Sequence, residues 1–350
     1  MTGIRGGGGV ADTNLPSALD QTDLRLLHAL QVDPRASWNE LAPVVGVDAA
    51  TLARRWARLD AEGLAWVTGY DSSGQLALLE IECELARLEQ VAAEMGRDRQ
   101  VLVLDFSSGG RDLLALVMGR DLAEISAYAV GRLGAIEGVR AVRTHIANEI
   151  LTDGSSWRLR TLKPAEVARI RPPKPPRPRA ARRVDDGLRA ALEDELWRDG
   201  RASIADIAQR TGYAPQRVSD AIATLRSTGD LVFRTDIARA ASGWPIYTWY
   251  FVEAPARIIE AARAAIATVP EVRLAFTASS RYNLILAVWL RRIADVNRFE
   301  MALEQALQGS RIADRAVVLR IAKHMNRIVG PDTRAIGSAN SEPAHLKPDG

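Results

Sequence analysis

The chain has 350 residues, is 47% hydrophobic and 25% charged, and carries a net charge of +3, which suits a globular protein of two to four domains. No apolar run reaches the roughly 18 residues of a membrane span, and the N-terminal stretch MTGIRGGGGVADTN has no apolar core, which argues against a membrane protein or a secretory signal. Cys83 is the only cysteine, which excludes an intrachain disulfide framework and fits a reducing, cytoplasmic setting.

Residues 1–18 read as a disordered tail, and GGGG at positions 6–9 precedes no strand, so it fails the context test for a phosphate loop. Residues 19–68 then read as three short helices. Leu26, Leu27 and Leu30 sit at helical spacing on the first, Ser37 caps the second, Gly46 supplies a tight turn, and Asp48 caps a third that Gly63 stops. This is the pattern of a winged-helix-like helix-turn-helix. On the third helix Leu52, Trp56 and Leu59 form the buried stripe, while Ala50, Thr51, Arg54 and Arg58 point outward with Arg55 on the flank. Small residues followed by arginines suit the major groove of double-stranded DNA, where arginine offers a bidentate fork. A structural bundle with a solvated arginine face is the bland alternative.

Residues 75–152 alternate strand and helix. LALLEIECEL reads as a half-exposed strand with Leu79, Ile81, Cys83 and Leu85 inward and Glu80, Glu82 and Glu84 outward, so Cys83 is a core residue. A helix over 88–95, the strands VLVLDF and LLALVMG around the loop SSGGRD, a helix over 122–133 and the strand VRAVRTHIA complete a βαββαβ, ferredoxin-like order. Residues 158–183 hold ten Lys or Arg against one acid, Glu166, and are rich in proline, so an extended linker is expected there. It reads either as a solvated spacer or as a strap on DNA phosphates.

The pattern then repeats. RASWNELAPVVGVDAATLARRWARLDAEGLAW, from Arg35, aligns without gaps on RASIADIAQRTGYAPQRVSDAIATLRSTGDLVF, from Arg201, with Gly46 facing Gly212 and Gly63 facing Gly229. A second helix-turn-helix is expected over 185–235. Its exposed face holds Gln216, Arg217, Asp220 and Thr224, with an acid where the first copy has Arg54, so its DNA binding stays open. A second ferredoxin-like domain follows over 244–330, and 331–350 reads as a disordered tail. The fold class is α+β, one unit used twice.

The stretch LDQTDLRLLHALQVDPRASWNELAPVVGVDAATLARRWARLDAEG resembles the DNA-binding domain of the Lrp/AsnC (feast/famine) regulators, and the βαββαβ part, with SSGGRD and VRTHI, resembles their ligand-sensing domain. The resemblance covers about 19–150 and again 185–330, so the chain looks like a tandem fused form. It implies a DNA-binding transcriptional regulator, not an enzyme, that answers to an amino acid or related small-molecule effector, self-associates and needs no cofactor. Carried onto this sequence, the effector loops are Ser108, Gly109, Gly110, Arg111 and Asp112, and Ser279, Ser280, Arg281, Tyr282 and Asn283. The family loop offers a Gly and a downstream acid; the first copy keeps Gly109 and Asp112, whereas the second has Ser280 and Asn283.

Two other readings remain. Sirohaem decarboxylases resemble the same fold and also occur as fused tandems, but their His-rich stretch before an aromatic strand is missing here. The four histidines are scattered: His28 on the polar side of a helix, His145 in a strand as hydrogen-bonded structure, His324, and His345 in the tail. None has metal-ligand spacing. A protein-interaction module without DNA binding is the other reading.

Overall fold

The computed structural model describes residues 19–177 and 183–338. Helix α1, Gln21–Val32, starts on a reciprocal cap: the Asp20 carboxylate accepts the Asp23 amide at 2.8 Å and the Asp23 carboxylate accepts that of Asp20. Ser37 and Glu40 make the same box at the start of α2, Trp38–Val45, which ends on Gly46 at φ +91°. Asp48 caps α3, Ala49–Ala61. Leu26, Leu27, Leu30, Leu41, Leu52 and Leu59 are fully buried between the three helices, and truncating one to Ala removes about 2–5 kcal/mol. Gly63 ends α3 at φ +64° and meets the backbone of Ala335, whose amide donates to its carbonyl at 2.9 Å; a Cβ at Gly63 has no room. Strand β1, Ala65–Asp71, completes this unit as its wing.

The first β-rich segment runs β2 (Gln75–Cys83), α4 (Leu88–Arg97), β3 (Val101–Ser107), β4 (Leu113–Gly119), α5 (Leu122–Ser126) with a π-helical turn to Arg132, and β5 (Val139–Thr152). A short helix α6, Pro164–Val167, follows. Three further helices, α7 (Asp186–Arg198), α8 (Ile204–Thr211) and α9 (Pro215–Thr228), lead into β6 (Leu231–Ile237). The chain then runs β7 (Ile246–Glu253), α10 (Ala256–Thr268), β8 (Val272–Ser279), β9 (Leu284–Leu290), α11 (Asp295–Ala306) and β10 (Arg311–His324), and ends in β11 (Arg327–Val329) and β12 (Ala335–Ser338).

Two strand systems tie the halves together. Wings β1 and β6 pair antiparallel, Ala65 opposite Ile237 and Asp71 opposite Leu231. The β-rich segments share one sheet that closes on itself through the order β10-β3-β4-β2-β5-β8-β9-β7 and back to β10. Closure depends on two long strands of 14 residues each. Strand β5 pairs β2 with its first half and β8 with its second, and β10 pairs β7 and then β3. Closing the ring removes the open edges that each sheet alone would expose.

The period-2 alternation of the strands divides the core. Ala77, Leu79 and Ile81 of β2 and Tyr250 and Val252 of β7 face the helices, while Leu76, Leu78, Trp249 and Phe251 face the interior of the ring. Burial of Cys83 with the outer set agrees with the sequence reading, and it pushes the thiol up to about 11. The expectation of a half-exposed β2 fails. Glu80 lies on the inner face, covered by the second half and only 3% exposed, where Arg111 neutralises it.

Two boundaries also change. The segment 158–170 was expected to be an extended linker, yet it packs on α1. Leu159, Leu162 and Ile170 are buried, the Leu159 amide donates to Gln31 and the Leu162 amide to His28 Nδ1, both at 2.8 Å. His28 is therefore buried beneath this segment and is not on a polar face. Residues 335–338 of the expected C-terminal tail form β12 against β11. The proposed tails 1–18 and 339–350, with His345, and linker residues Arg179 and Arg182 lie outside the described residues.

Candidate nucleic-acid interface

On α3, Asp48 accepts the Thr51 amide and hydroxyl, both at 2.8 Å, which fixes the first turn; Ala50 beside it is exposed. Arg54 is exposed and has only a 3.4 Å contact to Thr51. Arg55 and Arg58 behave differently from the expected free cations. Arg55 binds Asp20 at 2.7 Å and Asp23 at 2.8 Å, and Arg58 binds the other oxygen of Asp23 at 2.6 Å. Asp23 is 1% exposed, so these two arginines supply the charge that lets a buried carboxylate exist and bolt α3 to α1. Of the expected contacts, Ala50 and Arg54 are exposed, and Thr51 is half-exposed with its hydroxyl held by Asp48.

On α9 the residues aligned with that face are engaged differently. Gln216 and Arg217 are exposed on α9, and Arg217 is engaged by Asp185. Asp220 is gripped by Arg177 of the basic segment, whose Nε donates at 2.9 Å and whose second nitrogen takes the other oxygen. Thr224, expected on the exposed face, is buried. At its other end the same basic segment passes α2: the Ser37 backbone and hydroxyl, then Lys174 and Arg171 at longer range, hold the Glu40 carboxyl below the usual range. Residues 171–177 thus run from beside α2 to α9.

The two helical units are also clamped directly. Arg35 donates to the carbonyls of Gly200 at 2.6 Å and Ala202 at 2.9 Å, and Arg201 donates to those of Pro34 and Ala36. Arg201 also stacks 4.0 Å over Trp38. Burial pushes both guanidiniums down to about 10.

The expected effector loops are largely committed to the fold. Ser108 exchanges hydrogen bonds with Val317 of β10, both at 2.9 Å, and Asp112 accepts the Cys83 amide at 2.7 Å. Arg111 is 5% exposed, ion-paired to Glu80 and Asp314, and lies 4.7 Å over the Phe251 ring; only Gly109 and Gly110 are exposed. His145 meets Glu80 at 2.6 Å, the structural role expected of it. In the second loop, Ser279 bonds Asn148, Tyr282 packs on His145 and Phe251, and Asn283 bonds both backbone groups of Ala254. Ser280, Arg281 and Asn283 line an open groove beside Pro255 and Gly309.

The sequence reading missed a charged group at the ring's interior: the buried Asp236, Arg273 and His324 with the largely covered Arg234. Its signal was weak: Arg273 is a single charge in an apolar strand, while Arg234, Asp236 and His324 lie in strands that carry other charges. Among the described residues no cluster of His, Cys, Asp or Glu could hold a metal ion, and no helix is long and apolar enough to cross a membrane.

An AsnC-type helix-turn-helix domain matches residues 19–60 and an Lrp/AsnC ligand-binding domain matches residues 76–157. An uncharacterised HTH-type transcriptional regulator of Pyrococcus abyssi is 30% identical over 145 residues, 40% of this chain and 89% of the relative. The Bkd operon transcriptional regulator of Pseudomonas aeruginosa is 30% identical over 143 residues, 37% of this chain and 90% of that one. Among solved structures, the siroheme decarboxylase NirDL matches 92% of this chain and 96% of its own at TM-score 0.56 and 14% identity, a likeness of fold alone. The first helical unit and these relatives place the chain among helix-turn-helix transcriptional regulators. The chain belongs to the Lrp/AsnC family.

Proposed function

We propose that the chain is a sequence-specific DNA-binding regulator in which two Lrp/AsnC-type units, fused in tandem, form a covalent equivalent of a dimer. The first unit spans helical residues 19–68 and sensor residues 75–152, and the second spans 185–235 and 244–338. Helix α3 enters the major groove with Ala50, Thr51 and Arg54, while Arg55 and Arg58 orient it through Asp23. The observation that carries this reading is Arg54, an exposed guanidinium without a strong partner on a helix whose other arginines are tied to the fold. On α9, Gln216 and Arg217 are the candidate contacts, and Arg177 offsets the acid at Asp220. The remaining linker cations neutralise phosphates. A small-molecule effector acts on the ring, and the groove at Ser280, Arg281 and Asn283 is the loop site best open to one.

Selection of fragments from the organism's own genome on the purified chain, repeated at several salt concentrations, tests this function. Recovery of one shared sequence supports it; recovery of none retires it in favour of a protein-interaction module.

The fold likeness to a siroheme decarboxylase supports a second reading, tetrapyrrole decarboxylation. A groove of about 800 Å³ between α7 and the first sheet has the size, but its charged lining is Asp71, Glu124, Asp186 and Glu193 against Arg99, Arg120 and Arg189. Four carboxylates against three guanidiniums suit a polycarboxylate poorly. A visible absorption spectrum of the protein mixed with an iron tetrapyrrole separates the two readings.

A further inference from the structure

The ring of strands encloses a cavity of about 70 Å³, walled by Leu116 and Met118 from the first half and by Trp249, Ala287 and Trp289 from the second. That is room for several waters, or for a small molecule in close contact with its walls. One side of it is lined by charged side chains. Asp236 accepts from Arg234 at 2.7 Å and Arg273 at 3.2 Å and meets His324 at 3.1 Å, so one buried carboxylate serves two guanidiniums. Burial keeps His324 below its ordinary value, and its Nδ1 has no partner among the described residues. Asp153 is the other acid at the cavity, and it already accepts from the Tyr70 hydroxyl at 2.9 Å and from Ser155.

Arg273 is the feature that needs an explanation. It is 4% exposed and lies over the rings of Trp157, at 4.3 Å, and Trp289, at 4.0 Å, which themselves meet at 5.7 Å. Among the described residues its guanidinium makes one hydrogen bond, although it carries five N–H groups. Burial and the neighbouring Arg234 charge push it down to about 9, while Asp236 draws it up. Buried donors of a charged group cost free energy unless an acceptor reaches them.

We propose that this cavity is a binding site for a short-chain organic monocarboxylate. The carboxylate takes the free N–H groups of Arg273, a charge-assisted pairing that planar guanidinium geometry favours. The apolar chain lies among Leu116, Met118, Trp249 and Ala287. The cavity shares Tyr70, Leu102 and Met118 with the large groove beside α7, which provides the way in. Arg234 and Asp236 sit on β6, the strand that pairs with wing β1 of the other helical unit. Occupancy therefore acts on the strands that hold the two helical units together. This last step rests on the regulator reading; binding itself does not.

The test titrates the full chain with acetate, propionate and butyrate, and with the matching neutral amides, by calorimetry and tryptophan fluorescence. At least one acid is expected to quench the tryptophans and to bind about tenfold or more tighter than its amide. Arg273→Met, which removes the charge, and Ala287→Leu, which fills the cavity and keeps it, are each expected to weaken that acid about tenfold with circular dichroism unchanged. The proposal is overturned if no acid binds below about 10 mM, if acid and amide bind alike, or if both variants bind as the parent does. Should Arg273→Met fail to fold, Ala287→Leu and the acid–amide comparison decide. Adding the bound acid to the chain on a selected DNA fragment is a separate measurement; an unchanged DNA affinity removes the regulatory step and leaves the binding site standing.

Discussion

Arg35 and Arg201 each reach across to the loop that carries the other, donating to the carbonyls that flank it. The exchange is reciprocal because the two residues occupy the same position in the repeated unit. Such self-complementary contact belongs to twofold interfaces, here made within one chain. Together with the β1–β6 pairing it fixes the separation of α3 and α9, which in a dimeric DNA-binding protein sets half-site spacing. Replacing either arginine with Ala removes two hydrogen bonds from a charged group and is expected to cost about 1.5–3 kcal/mol, measured by urea denaturation of the full chain. A loss under about 0.5 kcal/mol would mean the clamp does not stabilise the fold.

The Asp23 network predicts that stability and DNA contact separate on one helix. Arg58→Ala leaves Asp23 buried with one cation fewer and is expected to lower stability by about 1–3 kcal/mol. Arg54→Ala breaks only the long contact to Thr51, and its effect on stability is expected to stay within about 0.5 kcal/mol. Equal denaturation midpoints for the two variants contradict this division of labour.

His28 makes the docked segment 159–170 sensitive to acid. Burial, with help from Arg158 and Arg160, lowers it to about 4, so the unfolded chain binds the proton more readily than the folded one. Its contribution is complete above about pH 6.5 and is lost as pH falls through 4. Hydrogen-exchange protection of the Leu162 amide, which donates to His28, is expected to fall across that window in the parent and to stay level in His28→Gln. Parallel profiles for both proteins would show that another group controls the segment.

The basic segment gives an electrostatic prediction. Each phosphate it neutralises adds about 0.9 to the magnitude of the log–log salt slope on duplex DNA. Replacing Arg171, Lys174, Arg179, Arg182 and Arg183 with Gln, and leaving Arg177 on Asp220, is therefore expected to flatten that slope and to leave sequence preference unchanged, since phosphate contacts do not specify. A slope that stays the same assigns the segment to spacing alone.

The helical units were legible because their signals are local: the caps Asp20, Ser37 and Asp48, the turn at Gly46 and the leucine stripe act within a few residues of one another. The strand order was legible through period-2 alternation. What stayed hidden depends on pairing between distant parts. Nothing in LALLEIECEL shows that a second sheet covers Glu80, or that Arg111 waits for it. A projection of α3 places Arg58 outward but cannot show that Asp23 draws it back. Nor does a proline-rich composition reveal that Leu159, Leu162 and Ile170 dock on α1. Arg273 reads as one charge in a strand until the ring closes around it.

The contact that carries the proposed function is that of Arg54 on α3 with DNA. Its most direct test is the affinity of the full chain for its selected genomic fragment, with the parent and Arg54→Ala measured side by side at one salt concentration by fluorescence anisotropy. A loss of about 1–3 kcal/mol in binding, with the denaturation midpoint unchanged, is the expected result for a base-edge contact. Equal affinity of the two proteins for that fragment would contradict the account.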